Sequence, residues 1–352
     1  MYYIVFTLLL FFSIIEIYTR KNNKIWFVIC YVLMTAMAIF RYGQLTDYFN
    51  YEAYYDDPGA VARDPLYAAI MVFCNTIGVS FVFFSIITDI LMMGLSLPFF
   101  WKLCKGYLTP LFVFYCYIFL LFPMSGLRQG TCIAVLLYCF LFLLRRKKKL
   151  FYVTAIFFSF IHFSMIIVII IGLLYDKKFY NSKFIGWMIL GCSVFALVTP
   201  DLTPYIPEFL SNKSIGGYED SRIVQVVLRA MLILPVVYLK PIYGSLGYYA
   251  KAICIIGYCL YCSLSFSTLI AGRLEFYFRV FLCLFVTYVL CYENRSYIRK
   301  PILISILLIH AVLFFKNINS FIAQGEYNEE KVTMFNFPYI SLFDKDELDN
   351  YK

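Results

Sequence analysis

The amino-acid sequence predicts an all-α polytopic membrane protein with about ten transmembrane helices and two short segments that are re-entrant or broken. Three observations carry this expectation. Of 352 residues, 62 % are hydrophobic and 14 % charged, whereas soluble domains hold roughly 45–50 % and about 25 %. Apolar runs of membrane-crossing length recur along the chain. Basic residues gather in alternate connections between those runs. The composition excludes a soluble enzyme, a disordered chain and a nucleic-acid binder built on a basic globular surface. Membrane lipids are the implied surroundings, and no nucleic-acid partner is expected.

A crossing helix needs about 20 apolar residues, within a range of roughly 17–25. The runs that satisfy or approach this are Tyr2–Thr19, Ile25–Phe40, Phe81–Trp101, Leu108–Phe122, Leu127–Leu144, Phe184–Val198, Ile223–Leu239, Ala252–Ile270, Leu274–Tyr292 and Ile302–Phe315. Tyr2–Thr19 has no basic flank before it and no small-residue cleavage site after it, so it reads as a retained span. Pro65–Ile77 is apolar but short. Phe151–Leu174 is long but interrupted by His162 and Ser164.

If both irregular segments return to the side they entered from, 18 of the 30 basic residues fall on one side. They include Arg20, Lys24, the run Arg145–Lys149, Lys177, Lys178 and Lys183, with only Glu16, Asp176 and Glu293 as acidic company. Such an excess marks the cytoplasmic side. Residues 1–315 then form one transmembrane domain with long outer loops at 41–64 and 199–222, and 316–352 form an extracytoplasmic tail. The twelve cysteines, including the Cys259/Cys262 pair, lie almost entirely in apolar runs. They read as small packed hydrophobes and not as a disulfide framework.

Loop length is concentrated outside, so chemistry is expected there. The first outer loop sets Arg41 beside Asp47, Glu52 and a series of tyrosines that includes Tyr48 and Tyr51, a combination suited to an anion attached to a sugar. Arg128 and Gln129 follow Ser125-Gly-Leu at the outer start of a span, where free N–H groups and an arginine fork favour a phosphate. His162 stands at the apex of the interrupted segment, where irregular backbone is tolerated if it lines a cavity. Arg222 and Arg229 are seven residues apart on one helical face, and Arg273 and Arg279 bracket Glu275 and Tyr277. Charges at that depth usually face a site. Asp89, in mid-span, reads as a counter-ion to one of these intramembrane arginines. No P-loop, no HExxH and, in the outer loops 41–64 and 199–222, no Asp-x-Asp pair occurs, so no metal and no cofactor are expected.

These pieces resemble the EpsG-like branch of the Wzy-type polysaccharide polymerases. The resemblance rests on Arg41-Tyr-Gly with Asp47, Tyr48 and Tyr51, then Leu127-Arg128-Gln129-Gly130, then Phe160-Ile-His162-Phe-Ser164, and late in the chain Arg273 with Tyr277-Phe278. The chain departs from the family pattern at Arg63-Asp64, where members often carry Glu, and at Phe163, where a basic residue often follows the His. The resemblance implies a GT-C-like integral glycosyltransferase of the bacterial inner membrane, its active site facing outward. It implies en bloc transfer of a glycan from undecaprenyl pyrophosphate to a lipid-linked repeat unit, and a chain-length regulator protein as a further partner. Arg41, Arg128, Gln129, Arg222, Arg229, Arg273, Arg279, Tyr48, Tyr51 and Tyr277 would hold sugar and pyrophosphate. Asp47, Glu52 and His162 are the candidates for proton transfer. Two other classes remain open. A flippase for lipid-linked sugars would bind the same anion without making a bond. A membrane acyltransferase would favour a His near the first spans, and none precedes position 162.

Overall fold

Without water to bond to, a chain in lipid must pair its own N–H and C=O groups, and helices do this within one segment. The computed structural model describes residues 1–43, 47–57, 64–175, 182–199, 222–239, 241, 245–325, 327–328 and 330–351, and these are overwhelmingly helical. Among the described residues, five helices are long and apolar enough to cross a membrane: Tyr2–Thr19, Phe81–Leu103, Leu127–Leu144, Ile270–Tyr292 and Ser296–Gln324. They group into two compact units, residues 1–169 with 307–352, and residues 170–306.

The first unit holds α1 (Tyr2–Thr19), α2 (Lys24–Ile39), α3 (Tyr48–Asp56), α4 (Pro65–Thr76), α5 (Phe81–Pro98), α6 (Leu108–Val113), α7 (Leu127–Leu144) and α8 (Lys148–Phe158). Short polar residues start several of these helices. The side chain of Asn23 accepts from the Trp26 N–H, and Ser80 from that of Phe83. α6 has no cap of its own and takes one from α1. Both oxygens of buried Glu16 accept the Leu108 N–H, and Oε2 also accepts the N–H and hydroxyl of Thr109, all at 2.9 Å. Glu16→Ala should leave those donors unmet, at a cost of about 1–3 kcal/mol. A fall in the melting temperature of the detergent-solubilised protein checks this, with Glu16→Gln expected between the two.

α5 and α6 continue as π-helical turns, Phe99–Leu103 and Phe114–Phe119. Within the second of these the Cys116 carbonyl accepts from Asn317 Nδ2 at 3.1 Å. α7 packs against α5 at Gly130, where a Cβ would stand 2.8 Å from Met92 Sδ and 3.2 Å from the Phe122 backbone. The tail is tied to the end of α2. Phe40 O accepts the Leu342 N–H, Ile340 O accepts the Tyr42 N–H, and Arg41 forms an antiparallel bridge with Ser341.

The interrupted segment is broken where its polar residues stand. α8 ends at Phe158, Ser159–His162 form a turn, and a 3₁₀ helix, Phe163–Val168, leads into α9 (Ile169–Leu174). His162 is extended, with φ −156° and ψ 117°.

In the second unit, α10 (Ser182–Val198), α11 (Arg222–Tyr238), α13 (Thr268–Arg279) and α14 (Leu282–Tyr292) each pack on α12 (Leu246–Ser263). α15 (Ser296–Gln324) begins in this unit and ends in the first. The run Ala252–Ile270 is not one helix, contrary to expectation: it breaks at Leu264–Ser267. Ser263, Ser265 and Ser267 recur there, and serine side chains compete for helical backbone bonds. α15 also carries the helix to Gln324, beyond the expected tail boundary at 316. At Gly257 a Cβ would lie 2.4 Å from Phe278 Cβ, so the absence of a side chain sets the approach of α12 and α13.

Candidate functional site

In the first unit three segments distant in sequence meet at one carboxylate. Asp64 stands immediately before Pro65, which opens α4. Its Oδ2 accepts from Arg128 Nη1 at 2.6 Å and lies 3.4 Å from His162 Nδ1, and its Oδ1 accepts the Phe163 N–H at 3.3 Å. Arg128, in the first turn of α7, also donates from Nε to the Tyr51 hydroxyl at 3.4 Å. Its guanidinium carbon lies 5.5 Å and 5.9 Å from the Tyr51 and Tyr54 ring centres. The backbone secures the meeting, since the Leu66 N–H donates to Phe160 O at 3.0 Å. Asp64 is buried, while the Arg128 and His162 side chains keep 21 % and 17 % of their surface, so these two can meet a ligand.

Burial alone would raise the Asp64 pKa. The hydrogen bond and charge of His162, the charge of Arg128 and the Phe163 N–H outweigh it and hold the carboxyl below the usual aspartate value. Asp64 is therefore ionised across the neutral range. Its contribution to stability is complete above the ordinary carboxylate pKa and is lost as pH falls through the lowered one.

α3 supplies the aromatic wall. Tyr48, Tyr51 and Tyr55 recur at helical spacing and are buried. Tyr48 packs edge-on against Phe81, and Tyr51 against Tyr67. Asp47 begins the helix, and its charge acts on the Tyr51 hydroxyl. Glu52 lies on the side of Tyr42 and Tyr48, and burial with the nearby Asp56 charge raises its pKa. Among the described residues Glu52 has no hydrogen bond to the Asp64 cluster.

Arg41 requires a correction. Its guanidinium does not join Asp47 and Glu52 in the way expected for the 41–64 loop. It is buried, paired with Asp89, and reaches Ser85 Oγ at 3.3 Å and the Ala38 carbonyl. Asp89 is a counter-ion as expected, but to Arg41 and not to a later arginine. With Asp89 buried in α5, an Arg41 turned to the loop would leave that carboxylate as an uncompensated buried charge, which is strongly unfavourable.

The second unit holds another ionic group. Glu275 Oε1 accepts from Arg279 Nε at 2.8 Å, and Oε2 lies 3.4 Å from Arg229 Nε. The Arg229 guanidinium stacks 3.7 Å from the Tyr261 ring centre. Arg229, Glu275 and Arg279, with Cys254, Tyr258 and the apolar Leu232, Ile233, Val236 and Leu282, line a small, partly open pocket. Tyr277 is fully buried in α13, Gln129 is buried in α7, and Arg273 is half-buried. Arg222 is the first residue of α11, but its side chain and residues 200–221, the bulk of the expected second outer loop, lie outside the described residues, as do Asp176, Lys177 and Lys178.

Sequence reasoning found Tyr51, Arg128 and His162 but gave no role to Asp64, the residue that joins them. Arg63-Asp64 stood out only as a place where related chains often carry Glu, and the position before Pro65 is that of an ordinary helix cap.

Fold and sites together define a multi-pass helical membrane protein with buried arginine–carboxylate groups beside aromatic walls. The EpsG family model matches residues 24–341, and the chain belongs to the EpsG family. No curated protein and no solved structure matches it.

Proposed function

We propose that this chain is a polysaccharide polymerase of the bacterial inner membrane, with about ten spans of GT-C-like arrangement and its site open to the outer side. It transfers a glycan from undecaprenyl pyrophosphate to the sugar hydroxyl of a second lipid-linked repeat unit. The observation that carries this is the Tyr51–Arg128–Asp64–His162 cluster, a cation and an imidazole on one buried carboxylate, lying within the family-matched region.

The acceptor oxygen bonds to the anomeric carbon, and the bond from that carbon to the pyrophosphate oxygen breaks. The hydroxyl proton must leave, and charge builds on the pyrophosphate. Pyrophosphate departs without being protonated, so the proton to be moved is the acceptor's. His162 is the group of the cluster whose ordinary pKa lies near neutrality, which suits a general base. Arg128 neutralises the departing charge, and preorganised charge of this kind is often the largest contribution to rate. Tyr51 and Tyr54 offer flat faces to a sugar. Arg229 and Arg279 supply a second cationic patch for pyrophosphate in the other unit, and a chain-length regulator is a fitting protein partner.

Deletion in the native host tests the reading. Surface polysaccharide should collapse to a single repeat unit on the lipid core, while loss of a flippase would remove even that unit. In reconstituted vesicles, the purified protein should convert lipid-linked repeat units into polymer. Arg128→Lys should lose most of this activity although the charge is kept, because lysine is a point charge without the planar fork. Equal turnover of Arg128→Lys and wild type at equal protein level would remove Arg128 from the reaction.

A further inference from the structure

We propose that Asp64 is the positioning residue of this site: it holds the His162 proton on Nδ1, so that Nε2 carries the lone pair presented to the acceptor hydroxyl, and it fixes Arg128 beside that ring. This rests on the polymerase reading. Three observations carry it. Asp64 occupies the N-cap position of α4, where aspartate ordinarily accepts an N–H of its own helix, yet its side chain makes no capping bond and turns to the cluster instead. Its carboxylate accepts at both oxygens, from Arg128 at Oδ2 and the Phe163 N–H at Oδ1, with His162 Nδ1 also at Oδ2. Its side chain is 4 % exposed while those of His162 and Arg128 are 17 % and 21 %, so it stands behind them and does not reach substrate.

An ionised carboxylate suits this place because it has acceptor positions for all these donors and nothing to donate. It favours the tautomer with hydrogen on Nδ1 and stabilises the imidazolium formed when Nε2 takes the proton. An amide in the same place offers one acceptor oxygen, and its NH₂ meets a donor wherever it points. Among the described residues, the charged and titratable groups around the carboxylate are His162 of the broken segment, Arg128 of α7, and Tyr51 and Tyr54 of α3, with Tyr67 of α4 against the Tyr51 ring. Arginine stays charged and tyrosines titrate well above neutrality, so an acid limb near neutral pH belongs to the imidazole.

The test uses the full-length protein in vesicles with defined lipid-linked repeat units. Asp64→Asn should lower kcat by about 10²–10⁴-fold with KM within a few fold. The acid limb of kcat/KM should move to lower pH, because the imidazolium loses its carboxylate. Asp64→Glu should restore part of the rate and bring the limb back toward wild type. If the loss in Asp64→Asn matches a loss of folded protein and the pH profile of the remainder is unchanged, Asp64 only ties segments together and the inference is overturned. A wild-type kcat in Asp64→Asn overturns it equally. The polymerase reading fails separately, if the wild-type protein makes no polymer from these substrates.

Discussion

His162→Ala is expected to stop polymer formation, lowering turnover by about 10²–10⁴-fold, the range that general-base assistance supplies. The protein should still fold. The ring is partly exposed and sits in a turn already broken by Ser159–His162, so its removal leaves no large cavity. His162→Gln should be about as impaired as His162→Ala, because an amide can hydrogen-bond Asp64 but cannot take the acceptor's proton. Repeat-unit consumption, measured at equal protein level in vesicles, separates the outcomes. Wild-type turnover in His162→Ala would move the base elsewhere, with Asp47 next in line for its effect on Tyr51 and Glu52 after it. Substrate binding should change little, since the charge that holds pyrophosphate is on Arg128.

Asp89→Leu should produce the largest loss of stability. Arg41 and Asp89 are almost completely enclosed, the two side chains being 2 % and 1 % exposed. Removing the carboxylate leaves the guanidinium with Ser85 Oγ and the Ala38 carbonyl as neighbours. An uncompensated buried charge of this kind costs about 3–5 kcal/mol. The single variant should be recovered from detergent largely aggregated or with a much lower melting temperature. The double variant Arg41→Met with Asp89→Leu should recover much of the loss, because two apolar side chains need no partner. A single variant as stable as wild type would show that the pair does not form. Because the Arg41 backbone pairs with Ser341, the damaged variant should also release the tail, seen as faster proteolysis near residues 330–351.

The helices and the broken segment were legible in the sequence because hydropathy and helix breaking are local properties. Tyr2–Thr19 and Leu127–Leu144 have the same bounds in the structure as in the apolar runs. The turn at Ser159–His162 falls where the polar residues interrupt Phe151–Leu174. The break at Leu264–Ser267 escaped notice because serines leave an apolar run apolar on average while still loosening its backbone bonds.

The candidate site was legible only in part. Arg128 and His162 stood out because a charge or an imidazole beside an apolar run is costly and visible, and Tyr51 because tyrosines crowd that loop. By itself the sequence determined that this chain must live in lipid, where it becomes helical, and which polar groups are held at the edge of the apolar runs. Which carboxylate serves which cation was decided by tertiary structure alone. Arg41 finds Asp89 48 residues away, and Asp64 finds Arg128 and His162 at separations of 64 and 98. Such pairs leave no periodicity in the sequence. A hydrogen-bonded ion pair forms only at contact distance, and the packing of α2, α4, α5, α7 and the broken segment sets those distances.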